Sequence, residues 1–222
     1  MPESLQHHWD RVYREKAADA VSWFQAEPAM SLDLIAAAGV GPADPIIDIG
    51  AGASTLMDRL AALGFESVTA LDIAALPLEL ALKRLGPAGA RVEWLTRDVT
   101  RWSPSSNAYA LWHDRAVFHF LTQAADRAGY LHAMGRGLRD GGWAVIATFA
   151  PTGPQACSGL PVQRYAPAQL AEVLGPRFHL VESRAETHVT PAGGRQDFTW
   201  CLFRKAPPGA AASMRPDRGD AG

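Results

Sequence analysis

The chain has 222 residues, of which 48% are hydrophobic and 20% are charged. This length suits one α/β domain with a substantial core, and the proportions are ordinary for a globular protein. The formal net charge is −2 and the basic residues are spread along the chain, which argues against nucleic-acid binding because phosphate backbones require a concentrated basic surface.

Cysteine usage and hydropathy exclude other classes. Cys157 and Cys201 are too few for a disulfide framework and lack metal-ligand spacing, so we expect no metal. The polar N-terminus lacks the apolar core of a signal peptide. The longest apolar run, residues 143–150, is too short for a bilayer span, and these features favour a cytoplasmic protein without a membrane partner.

Apolar periodicity predicts alternating helices and strands. In chain order, the predicted elements are helices 5–16 and 28–38, strand 45–49, helix 54–63, strand 67–71, helix 76–85, strands 91–95 and 109–112, helix 124–138, strand 143–149, helix 167–174 and strands 178–186 and 197–204.

This alternation predicts a doubly wound, mostly parallel seven-stranded sheet that closes with a C-terminal antiparallel hairpin. A ligand should then lie at the carboxyl ends of the strands. Residues 1–40 form an N-terminal helical segment, and residues 41–205 the main domain. The Pro-, Gly- and Ala-rich residues 206–222 are predicted to be disordered, and the oligomeric state is left open.

A glycine-rich turn follows the first predicted strand, in the sequence Asp48-Ile-Gly-Ala-Gly-Ala-Ser54. Gly50 and Gly52 permit a tight turn and close approach of a ligand to the backbone. Thr55 stands where a dinucleotide fingerprint has its third glycine, and a carboxylate at Asp48 would repel a pyrophosphate. That carboxylate suits an ammonium or sulfonium group, while Asp72, 20 residues past the turn, is placed to accept hydrogen bonds from ribose hydroxyls.

Asp48-x-Gly50-x-Gly52, Asp72 and Asp98-Val99 resemble, in this order, the cofactor motifs of the class I S-adenosylmethionine-dependent methyltransferases. The resemblance spans about residues 9–205 and implies the Rossmann-like methyltransferase fold with S-adenosylmethionine as cofactor.

By this resemblance, each motif takes one part of the cofactor. Gly50 and Gly52 would cradle the amino acid, Asp72 would hold the ribose, and Asp98 would meet the adenine amino group. Ile73 would pack on the adenine and Val99 would donate its backbone N–H. The remaining residues assigned to the cofactor site in the main domain are Asp48, Ser54, Thr55 and His113.

Each acid also has a structural interpretation. Asp48 could simply begin the loop before a helix, Asp72 could be a solvated strand end, and Asp98 could be the N-cap of a turn.

The end of the fourth predicted strand holds the candidate catalytic residues. Asp114-Arg115 resembles the Asp-Arg pair of thiopurine-type and related thiol methyltransferases, where several lysine methyltransferases carry Asp-Lys. His119 is the candidate general base if it faces the pocket, because its pKa is normally near neutral. The alternatives are an Asp–Arg pair that braces the loop and a His113 bonded to backbone.

The N-terminal segment His8-Trp-Asp-Arg-Val-Tyr13 and the pair Trp23-Phe24 resemble elements that precede the first strand in several class I methyltransferases, including lysine-directed ones. The resemblance implies a lid over the cofactor formed by Trp9, Tyr13, Trp23 and Phe24, with Phe24 also a candidate substrate contact. A helix packed on the sheet edge is the alternative.

The segment after the fifth predicted strand, residues 150–165, is longer than a minimal turn and leaves the carboxyl edge of the sheet. It is the predicted substrate-side wall, with Cys157, Arg164 and Tyr165 as candidate substrate contacts.

These features predict a methyltransferase that transfers a methyl group from S-adenosylmethionine to a small-molecule acceptor, a thiol, amine or similar group, by in-line displacement. The alternative is a protein lysine N-methyltransferase. A non-catalytic binding module that keeps the cofactor fold stays open, and Thr55 and Asp48 disfavour a nicotinamide dehydrogenase.

Overall fold

A computed structural model describes residues 4–207. Its helices are α1 (Leu5–Glu15), α2 (Ala29–Ala37), α3 (Leu56–Ala62), α4 (Ala75–Leu85), α5 (Ala124–Gly137) and α6 (Pro167–Leu174). Its strands are β1 (Ile46–Ile49), β2 (Val68–Asp72), β3 (Val92–Thr96), β4 (Tyr109–Arg115), β5 (Leu138–Phe149), β6 (Ala156–Cys157), β7 (Leu160–Pro161), β8 (Phe178–Val189) and β9 (Arg195–Lys205). None of the helices within these residues has the length and apolarity of a bilayer span.

Seven strands form one sheet in the order β3-β2-β1-β4-β5-β9-β8, and β6 pairs with β7 in a separate small hairpin. Strands β1 to β5 are parallel, whereas β9 is antiparallel to both β5 and β8. The predicted doubly wound sheet with a C-terminal antiparallel hairpin is confirmed.

Both faces of the central strands are buried, as the apolar runs of the sequence require. Along β1, Ile46 belongs to one hydrophobic cluster and Ile47 and Ile49 to the cluster on the opposite face. The first cluster includes α2 and α3, and the second includes α5 and α6. Helices on both faces therefore fix the position of the β1–β4 strand ends, where a ligand is expected.

The main departures from the predicted boundaries lie at strand ends. Strand β4 continues three residues beyond Trp112, so His113, Asp114 and Arg115 extend from the sheet itself. Strand β5 begins at Leu138, before the predicted start at position 143, and it bends where its register opposite Tyr109 and Leu111 is irregular. Gly141 permits this bend with φ +72°.

The predicted disordered tail, residues 206–222, lies outside the described residues from position 208 onwards. Ala206 itself is buried, and its N–H donates to the carbonyl of Arg177. The ordered chain thus extends at least one residue beyond the predicted boundary.

Candidate functional site

The carboxyl ends of β1, β2 and β4 meet at one edge of the sheet. The register places Asp48 of β1 between Ala70 of β2 and His113 of β4. Asp72 ends β2, and Asp98 follows β3. Side chains far apart in sequence are therefore brought to the same edge, as parallel pairing requires.

The glycine turn after β1 adopts backbone conformations that side chains would prevent. Gly50 and Gly52 have φ of +66° and +52°. A Cβ at Gly50 would lie 2.0 Å from Cγ2 of Val117, and one at Gly52 would lie 2.6 Å from the hydroxyl of Tyr13. Both glycines are thus required by conformation and by close packing, and the open backbone forms a cradle.

Asp72 ties this turn to the end of β2. Its Oδ2 accepts the N–H of Gly52 at 3.0 Å, and its Oδ1 accepts the N–H of Ala74 at 2.9 Å. Burial raises the pKa of the carboxyl to about 6, with the two N–H donors acting against this shift and the charge of Asp48 adding to it. Asp72 also lines the larger of two adjoining cavities. This is the position that its predicted role as a partner of the ribose requires.

Asp98 caps a turn, as one of its two predicted roles requires, and it also lines the larger cavity. Its Oδ1 caps the following 3-10 turn by accepting the N–H and hydroxyl of Thr100 at 2.9 and 2.7 Å. Its Oδ2 lies 3.7 Å from Nε of the exposed Arg101. Ile73 and Val99 line the larger cavity beside it, so the three residues assigned to adenine share one wall.

Three buried side chains, from β1, β4 and α2, form a chain of hydrogen bonds. Asp48 Oδ1 accepts from Nδ1 of His113 at 2.6 Å, and Nε2 of His113 lies 3.0 Å from the hydroxyl of Ser31. These three side chains line the smaller cavity, of about 50 Å³, together with Gly50 and Ser54. His113 is thus bonded to side chains, not to backbone, and Asp48 does more than begin a loop.

The larger cavity has a volume of about 240 Å³. Aromatic residues of the N-terminal segment and the turn after β4 line it and contact one another edge-on. Trp9 lies 5.6 Å from Trp23 and 5.2 Å from Phe120 between ring centroids, and Tyr13 lies 5.9 Å from Trp23. Tyr13 and Trp23 line both cavities, so the aromatic residues of the N-terminal segment border the two. We call Trp9, Tyr13 and Trp23 the roof.

Arg115 also lines both cavities. Its Nη1 donates to the carbonyl of Trp23 at 2.9 Å, and its guanidinium carbon lies 4.9 Å from the ring centroid of Phe198. Nε and Nη2 are buried and have no hydrogen-bond partner within residues 4–207. Burial lowers the pKa of Arg115 to about 10, which leaves the group charged at neutral pH.

The other two candidate catalytic residues line neither cavity. Asp114 is fully buried on the opposite face, where it accepts hydrogen bonds from the Tyr130 hydroxyl and from the backbone N–H groups of Val117 and Phe118. It braces the turn after β4, which corrects the expectation that it acts on substrate. Alternating side-chain direction along β4 explains why Arg115 faces the cavity and Asp114 does not.

His119 is likewise enclosed. Its Nδ1 accepts the N–H of Phe149 at 3.2 Å, so the ring proton of the neutral form lies on Nε2. Burial, with the charge of Arg115 adding to it, lowers its pKa to about 3. A histidine that is neutral and has its free nitrogen protonated cannot serve as the expected general base.

The remaining predicted residues divide by position. Phe24 lines the smaller cavity and Cys157 the larger. Thr55 donates its hydroxyl to the carbonyl of Gln25, Arg164 bonds to loop carbonyls of the 150–165 segment, and Tyr165 packs in the core 5.7 Å from Phe118. These last three serve the loop structure and do not line either cavity.

Further residues line the cavities without having been predicted from the sequence, among them Ser31, Phe149, Gln196 and Phe198. The start of β9 reaches this edge because β9 runs antiparallel to β5, which pairs Phe149 with Phe198. The predicted hairpin contained this signal, since an antiparallel last strand begins where the parallel strands end. Ser31 lies in a helix and gave no comparable signal.

Comparison with known proteins agrees with this arrangement. A family model for a methyltransferase domain matches residues 46–142. No curated protein sequence matches the chain significantly.

Solved structures share the fold at low sequence identity. A 1,6-didemethyltoxoflavin-N1-methyltransferase from Burkholderia thailandensis, with bound 1,6-didemethyltoxoflavin and S-adenosylhomocysteine, is 21% identical with a TM-score of 0.68, covering 93% of each chain. An S-adenosylmethionine-dependent methyltransferase from Methanosarcina mazei is 16% identical with a TM-score of 0.66, covering 82% of this chain and 99% of that one. The N-methyltransferase NodS from Bradyrhizobium japonicum is 17% identical with a TM-score of 0.65, covering 81% and 94%.

Residues 46–142 therefore match the family model of a methyltransferase domain, and the chain has the fold of S-adenosylmethionine-dependent methyltransferases.

Proposed function

We propose that the protein transfers the methyl group of S-adenosylmethionine to a small-molecule acceptor. The observation that carries the proposal is one roofed space whose two adjoining cavities share Tyr13, Trp23, Gly50 and Arg115. Asp72 and Asp98, the acids assigned to the ribose and adenine of S-adenosylmethionine, line one part of this space. Arg115 and Phe198 line another part.

The residues present fit the cofactor. The glycine cradle, which a Cβ would fill, takes the amino acid end next to the Asp48–His113 pair. Asp72 takes the ribose hydroxyls, and Ile73, Asp98 and Val99 take the adenine. When bound, the cofactor supplies an electrophilic methyl group on a positively charged sulfur.

The residues around the cavity position the reactants and exclude water. The roof of Trp9, Tyr13 and Trp23 acts as a lid that limits solvent access, which strengthens electrostatic interactions inside and favours a bimolecular displacement. With His119 enclosed, and burial raising the pKa of the Cys157 thiol, neither residue is suited to accept a proton at neutral pH. In this proposal neither residue takes a proton from the acceptor, and the acceptor reacts through a lone pair that carries no proton.

A small acceptor is favoured over a protein lysine because of charge. The guanidinium of Arg115 lines the cavity on the acceptor side and would repel a lysine ammonium. The structure from Burkholderia thailandensis, an N1-methyltransferase with bound 1,6-didemethyltoxoflavin and S-adenosylhomocysteine, is consistent with this assignment.

Titration calorimetry tests the cofactor assignment. We expect S-adenosylhomocysteine to bind and NAD not to bind. Asp72→Ala should weaken S-adenosylhomocysteine binding by about tenfold or more, because charge-assisted hydrogen bonds to the ribose are lost. Asp33→Ala, an exposed acid on α2, is the matched control and should leave affinity unchanged. Tight binding of NAD alone, or wild-type affinity in Asp72→Ala, would contradict the assignment.

The acceptor class is tested with radiolabelled S-adenosylmethionine. We expect label from the methyl group to appear in the small-molecule fraction of a lysate and not in a protein band. A labelled band that disappears with Asp72→Ala would instead identify a protein acceptor.

A further inference from the structure

The part of the larger cavity over β4, β5 and β9 differs in character from the part lined by Asp72 and Asp98. We name it the acceptor end and define it by Arg115, Phe149, Cys157, Gln196 and Phe198. Two aromatic rings, one cation and one amide line it, and none of its five members is a carboxylate.

Arg115 has unused hydrogen-bonding capacity at the acceptor end. Only Nη1 has a partner, the Trp23 carbonyl, while Nε and Nη2 are buried without one among the described residues. The group forms no ion pair within residues 4–207, since the nearby Glu186 accepts from Gln25 and Trp200 instead. A buried cation with two free donors is costly unless a ligand completes its hydrogen bonds.

Gln196 provides a second, independent observation. Its side chain is buried, lines the cavity, and its Oε1 has no hydrogen-bond partner in the described part of the chain. Gln196 and Phe198 lie two apart on β9, so they share a face of the sheet, and Phe198 packs under the Arg115 guanidinium. The free acceptor oxygen and the free donors therefore border the same apolar surface.

The side of the sheet indicates which ligand these groups serve. Arg115 extends from β4 over Phe198 of β9, across the intervening β5, and so away from β2 and β3, which carry the ribose and adenine residues. The guanidinium thus lies over the acceptor end, while Arg115 also borders the smaller cavity that takes the amino acid of the cofactor.

Resting on the function proposed above, we propose that Arg115 and Gln196 form the acceptor subsite, and that the acceptor is a small flat acid bound as its anion. An ionisable O–H, S–H or N–H on a conjugated ring fits this site. The anion accepts hydrogen bonds from Nε and Nη2 of Arg115, the ring packs against Phe149 and Phe198, and an edge donor can reach Oε1 of Gln196.

The step balances without a protein base. The acceptor loses its proton to solvent on binding, because the guanidinium stabilises the anion. Its lone pair forms the bond to the methyl carbon, the carbon–sulfur bond breaks with its electron pair left on sulfur, and two opposite charges are neutralised. Arg115 therefore replaces a general base by favouring the deprotonated acceptor.

The test uses acids paired with their methylated, neutral forms: 4-nitrophenol with 4-nitroanisole, and 4-nitrothiophenol with 4-nitrothioanisole. Calorimetry with saturating S-adenosylhomocysteine at a pH where the acids are ionised measures the affinity of each. We expect wild type to bind the anion of at least one pair tenfold more tightly than its neutral partner. Arg115→Met should reduce this preference to less than threefold, while the ratio of its affinities for S-adenosylhomocysteine and decarboxylated S-adenosylhomocysteine stays as in wild type.

A second arm distinguishes the acceptor's anion from the carboxylate of the cofactor. S-adenosylhomocysteine is compared with its decarboxylated analogue in wild type and in Arg115→Met. If Arg115 held the cofactor carboxylate, the variant would lose affinity for S-adenosylhomocysteine and bind both compounds alike, which would overturn the proposal. Equal affinity of wild type for both members of every acid pair would overturn it too.

Gln196→Glu keeps the test valid if Arg115→Met does not fold. A carboxylate there should lower the anion preference at least fivefold, and Gln196→Met should lower it less. Unchanged preference in Gln196→Glu would count against the subsite. Absence of S-adenosylhomocysteine binding to folded wild type would instead refute the proposed function itself.

Discussion

The imidazole of His119 lies between Phe120 and Phe149, with ring centroids 4.5 Å away on each side. His119 has no exposed surface at which water could hydrate a charge, and the charge of Arg115 repels a protonated imidazole. The imidazole is therefore neutral in the folded protein. Burial thus converts the residue that sequence position favours as a base into a neutral imidazole whose Nδ1 accepts the N–H of Phe149.

Comparison of wild type with His119→Asn should reveal this burial. The folded pKa, about 3, lies below the usual 6.5, so the unfolded chain binds an extra proton between these values. The stability advantage of wild type is fully present above pH 6.5 and decreases as pH falls, by about 2 kcal/mol at pH 5. Urea unfolding at pH 5, 6 and 7 measures the difference.

Asp72 and Asp114, whose pKa values burial raises to about 6, titrate in the same range with opposite sign. They are present in both proteins, so their contributions cancel in the difference. A difference that does not vary with pH would show that His119 is not buried as a neutral group.

Asp114 is expected to contribute stability and not chemistry. Asp114→Asn replaces one acceptor oxygen by an NH₂ group facing the N–H donors of Val117 and Phe118 or the Tyr130 hydroxyl, and should cost about 1–3 kcal/mol. Turnover and cofactor affinity should fall in proportion to the folded fraction. Tyr130→Phe should couple with Asp114→Asn in a double-mutant cycle. Full stability with lost turnover would restore a catalytic role.

At the scale of elements, α1 and the segment before α2 are held to the sheet by a few polar contacts. Trp23 donates from Nε1 to the Tyr13 hydroxyl at 3.2 Å and accepts from Arg115 through its carbonyl. Nε2 of His188 on β8 donates to the carbonyl of Ser22 at 2.8 Å. The roof is therefore anchored to both the parallel and the antiparallel parts of the sheet.

Removing the roof should speed the release of cofactor. Trp23→Ala is expected to raise the dissociation rate of S-adenosylhomocysteine about tenfold, because Trp23 lines both cavities and supports Tyr13. Trp143→Ala is the matched control, since that ring packs on Arg204 and lines neither cavity. Stopped-flow fluorescence measures both, and equal rates in the two variants would exclude a lid role for Trp23.

At the scale of the whole molecule, Lys205 joins the end of β9 to the junction of α5 and β5. Its Nζ is buried, donates to the carbonyls of Gly135 and Leu138, and lies 3.1 Å from Asp140. Because β9 is antiparallel, this contact lies at the opposite sheet edge from the site. It supports the hairpin that carries Gln196 and Phe198 to the cavity.

Lys205→Met should lower the free energy of unfolding by about 2–4 kcal/mol, because two carbonyls lose their donor and Asp140 keeps only Arg177 as a cationic partner. Affinity for S-adenosylhomocysteine should not change, since the contact is remote from the cavities. The exposed Lys83→Met is the control, with an expected change within about 0.5 kcal/mol. Denaturation and calorimetry measure the two quantities, and an unchanged stability would contradict the anchoring role.

Local patterning was sufficient to predict most of the fold. Buried strands such as β1 are short apolar runs, and glycines end or bend elements where φ is positive, as at Gly50 and Gly52. The acids at strand ends followed from the same pattern, because parallel strands bring their carboxyl ends together. These properties depend on neighbours in sequence, and a sequence displays them directly.

The direction and burial of each side chain were decided only by tertiary structure. Asp114 and Arg115 are adjacent in sequence but face opposite sides of β4, towards Tyr130 and Phe198 respectively. Arg115 reaches Trp23 and Gln196 reaches the cavity through contacts between distant segments. The sequence determined which chemical groups arrive at the sheet edge. Packing of both faces determined which remain charged, which are enclosed, and which face the ligand, because desolvation depends on every surrounding element.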